Sequence, residues 1–247
     1  MSYVEKSYIG KGVFRLGPAD GSAPLIDVGN ATELTIGHEV EEKTLANYRG
    51  CGGGNINKSS RISKVNLAFK VSDYSAQNMA RAVFGDITAV SATPITGETH
   101  TAQLGGLVLA DRVPDPDVAM TVKDGGGTTT YTEGTDYVRT TAGIEPLSTG
   151  AITDGSTIQL DYTPLAQDVI QALTQSQIPY IGVFEGLNEA QSCKPFVVVC
   201  HIIKFDPTDS MSLIGDDYGE LSLAGELLAD TTKGTGLSQF YEARLAF

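Results

Sequence analysis

Three stretches of the chain alternate apolar and polar residues with a period of two. In 32–41 (TELTIGHEVE), Leu34, Ile36, His38 and Val40 fall on one side, and Glu33, Thr35, Gly37, Glu39 and Glu41 on the other. In 61–71, Val65, Leu67, Phe69 and Val71 oppose Lys64, Asn66, Ala68 and Lys70. In 220–226, Leu221 and Leu223 oppose Glu220, Ser222, Ala224 and Glu226. Successive side chains of a strand point to opposite faces, so each stretch predicts a half-buried β-strand. The run 196–205 (FVVVCHIIKF) is apolar on both sides and predicts a strand in the middle of the fold. Stretches 167–173, 180–187, 218–228 and 240–247 read as further strands.

Between the first two strands lies 47–60 (NYRGCGGGNINKSS), with Gly50 and Gly52, Gly53 and Gly54 close together. This predicts a long, flexible hairpin loop. One helix is expected at 76–84 (AQNMARAVF), which holds good helix formers and no β-branched run. Asp73 or Ser75 can accept the first free amide hydrogens, and Gly85 suits a left-handed C-cap. Met79, Val83 and Phe84 are the residues expected to bury against a sheet.

The segment 96–164 differs in character. It holds ten acidic residues and three basic ones, and so carries −7 of the chain's net charge of −13. Its short β-runs (VAMTV, TTTYT, DYVRT, TIQLDYT) are separated by Asp-Gly pairs at Asp124–Gly125 and Asp154–Gly155. That spacing predicts a small β-sandwich inserted into a host domain of residues 1–95 and 165–247, with Pro94 and Pro164 near the joints.

Composition narrows the function. A net charge of −13 over 247 residues argues against a protein that grips nucleic acid by neutralising phosphates. No apolar run approaches the ~18 residues of a membrane helix. The start, MSYVEKSYIGKGVF, lacks a basic segment followed by an apolar one, so no secretion leader is expected. Cys51, Cys193 and Cys200 are odd in number and form no CxxC, which predicts free thiols in a reducing compartment.

No pattern of catalytic or metal-ligating residues emerges, and neither an enzyme nor a cofactor is expected. His38–Glu39 lacks the second histidine of HExxH. Cys200 and His201 are strand neighbours, so they point to opposite faces, and His201 reads as a core histidine. The glycines around Cys51 precede no Lys-Ser/Thr and open no helix, unlike a phosphate-binding loop. Asp206, Asp209, Asp216 and Asp217 do not follow the spacing of a calcium loop.

Four stretches resemble the major tail tube proteins of long, non-contractile-tailed bacteriophages. They are 28–54 (VGNATELTIGHEVEEKTLANYRGCGGG), 61–85 (RISKVNLAFKVSDYSAQNMARAVFG), 184–188 (FEGLN) and 205–230 (FDPTDSMSLIGDDYGELSLAGELLAD). Their order along the chain carries the resemblance, which covers most of 1–95 and 165–247. The segment TYTEGTDYVRTTAGIEPLSTGAITDGSTIQLDYT resembles an immunoglobulin-like module carried by some tail proteins.

The resemblance implies a mainly β fold: a tail-tube β-sandwich or barrel with one α-helix and an inserted immunoglobulin-like sandwich. It also implies hexameric rings, stacked into a hollow tube of a virion tail that is assembled in the host cytoplasm. The implied partners are further copies of the chain, a tape measure protein, a tail terminator and distal tail or baseplate proteins. DNA would pass through the lumen without specific binding, and no membrane is involved.

The polar strand faces are the candidate lumen lining: Glu33, Glu39, Glu41, Glu220 and Glu226 with Lys64 and Lys70. Their net charge is −3 per subunit, or about −18 for a ring of six, which denies DNA phosphates a cationic partner. The candidate ring-stacking loop is Asn47, Tyr48, Arg49, Gly50, Cys51, Gly52, Gly53, Gly54, Asn55, Ile56 and Asn57. A tube of a tail-derived bacteriocin or secretion apparatus has the same sequence requirements. A glycan-binding sandwich would need clustered aromatics, and the insert holds only Tyr131, Tyr137 and Tyr162.

Overall fold

The computed structural model describes residues 5–246. The fold is mainly β. In chain order the elements are β1 (Gly10–Pro18), β2 (Ile26–Asp27), β3 (Ala31–Ala46), β4 (Asn55–Val71), α1 (Ala76–Val83), β5 (Asp86–Val90) and β6 (Ile95–Thr101). Then follow β7 (Val108–Leu109), β8 (Thr121–Asp124), β9 (Thr130–Tyr131), β10 (Tyr137–Thr140), β11 (Gly143–Pro146) and β12 (Thr157–Tyr162). The chain ends with β13 (Gln167–Gln171), β14 (Pro179–Asn188), β15 (Lys194–Phe205), β16 (Leu221–Leu227) and β17 (Tyr241–Leu245). Phe247, the end of the expected strand 240–247, lies outside the described residues. Among the described residues no helix is long and apolar enough to cross a membrane.

The chain forms two compact units, one of residues up to Ile87 and from Ile170, the other Thr88–Val169. The sequence placed the second at 96–164. Both joints fall within β5 and β13, which pair with each other, so the polypeptide crosses as a two-stranded ribbon and not at the prolines. Pro164 instead forms a β-bridge with Pro114.

The first unit holds an eight-stranded sheet in the order β2-β1-β14-β15-β16-β4-β3, with β17 beside β15. β15 is central, as its two-sided apolar character requires. β14 lines one of its edges, while β17 and β16 share the other. The sheet curls on itself: Phe14 of β1 packs edge-on against Phe69 of β4, with ring centroids 5.2 Å apart, and Phe69 against Phe205 of β15 at 5.7 Å. Val65, Leu67, Phe69 and Val71 are buried together with Leu221, Leu223 and Leu227, so the period of two in β4 and β16 marks the core face.

Helix α1 is capped by Ser75, whose hydroxyl accepts from the Asn78 amide at 3.2 Å. The left-handed C-cap is Phe84 (φ 49), not the expected Gly85. The helix buries Asn78, Ala80 and Ala82 in preference to Met79 and Phe84, while Val83 packs on the core half-buried. Asn78 can occupy this face because its amide donates to the carbonyls of Val28 (2.7 Å) and Asp73 (3.0 Å).

The second unit has a three-stranded sheet, β10-β11-β7, and a four-stranded sheet, β6-β12-β8-β9. A separate apolar cluster includes Val122, Tyr137, Ile144, Ile158 and Leu160. Asp154–Gly155 does not form the expected hairpin, because β11 and β12 lie in different sheets. The turn after Asp124 does join paired strands, β8 and β9.

Candidate functional site

The register of β3, β4 and β16 brings most candidate polar residues onto one face. Glu33 lies opposite Lys70, and Lys70 opposite Ser222; Glu39 lies opposite Lys64, and Asn66 opposite Glu226. Lys70 Nζ is 2.9 Å from Glu33 Oε2, and this contact, with Glu220 nearby, raises the ammonium pKa. Thr32 donates to Glu220 at 2.8 Å, and Asn66 Nδ2 donates to Glu39 at 2.7 Å. Among the described residues Lys64 and Glu226 form no ion pair. The face is therefore polar and hydrogen-bonded, with charge of both signs in solvent.

Strict alternation misses one member. Between the pairs Glu39–Lys64 and Val40–Ile62 the ladder shifts, leaving Ser63 as an extra residue in β4. Arg61, which unbroken alternation assigns to the apolar side, thereby pairs with Glu41 on the polar side, with Nη2 2.5 Å from Oε2. The net charge of this face drops to −2 once Arg61 is included. No residue pattern in the sequence marks the bulge.

The expected long loop 47–60 is strand over its second part. β3 runs to Ala46 and β4 starts at Asn55, so Asn55, Ile56 and Asn57 belong to β4 and only 47–54 form the turn. The turn closes through the Asn47 amide donating to the Gly54 carbonyl at 2.8 Å. It carries Tyr48, Arg49, Gly50, Cys51, Gly52 and Gly53, and Tyr48 is 89% exposed. Gly52, Gly53 and Gly54 all have positive φ, which explains the glycine run.

β16 accompanies β4 only from Asn66 to Val71. Beyond that, β3 and β4 continue alone as a two-stranded ribbon, with residues 40–46 extending about 20 Å at strand rise. Cross-strand ions hold it: Arg61 with Glu41, and Lys58 with Glu42 at 2.6 Å. Val40, Leu45, Ile56 and Ile62 on this ribbon are more than half exposed. The sequence predicts Val40 and His38 on a buried face with Leu34 and Ile36, but both are exposed, and Leu45, Ile56 and Ile62 were not anticipated on a strand surface. Their opposed pattern, Val40 against Ile62, is visible only once the strands are seen to continue.

Two of the groups weighed for chemistry, Cys200 and His201, stand side by side on β15. Cys200 is buried and its thiol is pushed up to about 12 by burial. His201 is buried apart from the cluster that contains Cys200, and desolvation lowers its pKa, with Lys233 adding to the effect. Comparison with curated proteins finds no match. Residues 7–244 match the family described as protein of unknown function UCP028589, and the chain belongs to that family.

Proposed function

We propose that this chain is a self-assembling structural subunit of a phage-type tail tube, in which rings of six stack around a lumen that conducts DNA. The observation that carries the reading is the β3–β4 ribbon. It extends past its sheet neighbour, exposes Val40, Leu45, Ile56 and Ile62, and, among the described residues, leaves the outer edge of the 16-residue β3 unpaired. A monomer with such an edge invites association, and a closed assembly covers it. Further uncovered apolar residues support association: Leu213, Ile214 and Tyr218 are 76–97% exposed.

The polar face of β3, β4 and β16 suits a watery channel past which DNA slides, since it offers no continuous basic stripe. In this reading the ribbon and its glycine turn reach a neighbouring ring, and the 88–169 unit is an immunoglobulin-like decoration. Negative-stain microscopy of the purified chain tests the proposal. Rings or hollow tubes are expected, and a stable monomer in light scattering across protein and salt concentrations refutes it.

A further inference from the structure

We propose that Glu98, His100 and Asp111 of the 88–169 unit bind a divalent transition-metal ion of the zinc type, joining the two sheets of that unit at their edges. The three side chains each present a ligand atom, and these atoms all lie within 4.8 Å of one another. Glu98 and His100 stand two apart on β6, opposite Leu160 and Ile158, which are fully buried. Both therefore face inward, with side chains only 8% and 19% exposed. Asp111 is exposed and follows β7, which leaves an entry path. β6 is the edge of the four-stranded sheet and β7 the edge of the three-stranded one, so the ligands come from both sides of a seam.

The donor set is one imidazole nitrogen and two carboxylate oxygens. Three such protein ligands and a water complete a tetrahedral zinc shell, whereas magnesium and calcium prefer oxygen alone. The central carboxylate is held by its surroundings. Tyr162 Oη donates to Glu98 Oε2 at 2.7 Å and the Asp111 amide donates to Oε1 at 2.9 Å, while the Arg112 amide donates to Tyr162 Oη at 3.1 Å. Such outer hydrogen bonds orient a metal-binding carboxylate. His100 Nε2 lies 2.6 Å from Glu98 Oε1, so a small opening of this contact admits an ion between them.

Two observations give the ion a purpose. Two carboxylates converge on one imidazole, Glu98 largely buried and Asp111 exposed, and a dication offsets both negative charges. In addition, Cys51, Cys193 and Cys200 all lie outside 88–169, so no disulfide can staple this small sandwich. A metal does the equivalent work in domains with small cores.

The test uses the full chain with Cys51→Ser and Cys193→Ser, which removes the exposed thiols as competing ligands. After chelator treatment, zinc chloride is titrated calorimetrically. About one equivalent is expected to bind with a micromolar or tighter Kd, and the unfolding temperature of the zinc-loaded chain should rise. His100→Gln and Asp111→Asn should each weaken binding at least tenfold and abolish the thermal shift. Asp111 is exposed, so its variant reports even if His100→Gln perturbs folding. Absence of saturable binding, or binding that neither variant changes, overturns the site; binding without a thermal shift overturns its joining role.

Discussion

Tyr241 Oη on β17 lies 3.1 Å from His38 Nε2 on β3, and their rings sit 5.8 Å apart. In the sheet β17 pairs with β15 and β3 with β4, so this side-chain contact links two strands that share no backbone ladder. The same strands border a cavity of about 790 Å³ lined by Phe14, Leu34, Ile36, Phe196 and Val198 among others. The meeting is one of side chains and not of backbone ladders, and both partners are accessible to water.

The first prediction follows from that geometry. Tyr241→Phe removes an exposed hydrogen bond and should cost at most about 1 kcal/mol. Phe69→Ala, at the packed centre between Phe14 and Phe205, should cost about 3–5 kcal/mol. Urea unfolding of the two variants measures both. A larger loss for Tyr241→Phe than for Phe69→Ala would mean that the β3–β17 contact, and not the aromatic cluster, is the main hold on this unit.

Gly29 gives a second prediction. Its φ is +92°, and a Cβ there would stand 1.9 Å from Asp73 Oδ2. That carboxylate accepts the Asn30 amide at 2.5 Å and fixes the entry to β3. Gly29→Ala should therefore lose about 1–3 kcal/mol from the backbone alone, with the displaced Asp73 contact in addition. Gly37 in β3 has open space around the Cβ position and no positive φ. Gly37→Ala should be neutral or stabilising by up to about 1 kcal/mol. Equilibrium unfolding of both variants checks the opposite signs.

Acid should weaken the 88–169 unit before any metal is considered. The Thr132 amide, then that of Ala151, holds the Asp136 carboxyl below its usual range, at 2.7 and 2.8 Å. Asp161 is lowered first by Lys123, and Asp124 first by the Thr129 amide. A carboxylate with a depressed folded pKa binds its proton more readily when unfolded. Its stabilisation is complete above the unfolded value of about 3.9 and fades as pH falls through the lower folded value. The unit should thus lose stability below about pH 4, and Asp136→Asn should flatten that dependence. Fluorescence of Tyr131, Tyr137 and Tyr162 across a pH series reads it.

Much of this arrangement was legible because one physical signal dominated. Val65, Leu67, Phe69 and Val71 alternate with polar neighbours, and burial of one sheet face requires that pattern. Ser75 was readable as a cap because its hydroxyl has one obvious use at a helix start. β1 was missed: Gly10, Gly12 and Gly17 dilute its strand character, although Phe14 and Leu16 are among its buried residues. The ribbon was missed because KSSR and EEKT carry no apolar alternation, and its outer part is held by ion pairs across strands that no local rule anticipates. Ser63 shows a further limit, since one extra residue moves Arg61 to the other face with no compositional trace. At Glu98 and His100 the spacing of two was visible, but their inward orientation depends on the pairing with β12.

Shortening the ribbon separates folding from assembly. Replacing residues 42–60 by Asn-Gly joins Glu41 directly to Arg61, its cross-strand partner, through a two-residue hairpin. The removed segment contributes nothing to the buried cluster of the first unit, so the unfolding temperature should move by only a few degrees. Tubes should no longer form. Normal tubes from this variant would show that stacking uses another surface.

The charge of the polar face carries the last prediction. Glu39 and Glu226 lie on the face that also holds Lys64, Asn66 and Lys70, and among the described residues neither is in an ion pair. Glu39→Lys with Glu226→Lys changes the charge by about +4 per subunit and, in the proposed ring of six, by about +24. The Asn66–Glu39 hydrogen bond is exposed, so its loss should cost no more than about 1 kcal/mol. Tubes should therefore still assemble. If the face lines the lumen, closely repeated lysines gain counterion release from each phosphate they neutralise, and retention of duplex DNA should rise steeply as salt is lowered. DNA retention by purified variant tubes, compared with unmodified tubes over a salt series, measures this directly. Equal retention at every salt concentration, with tube integrity confirmed by microscopy, would place Glu39 and Glu226 outside the channel.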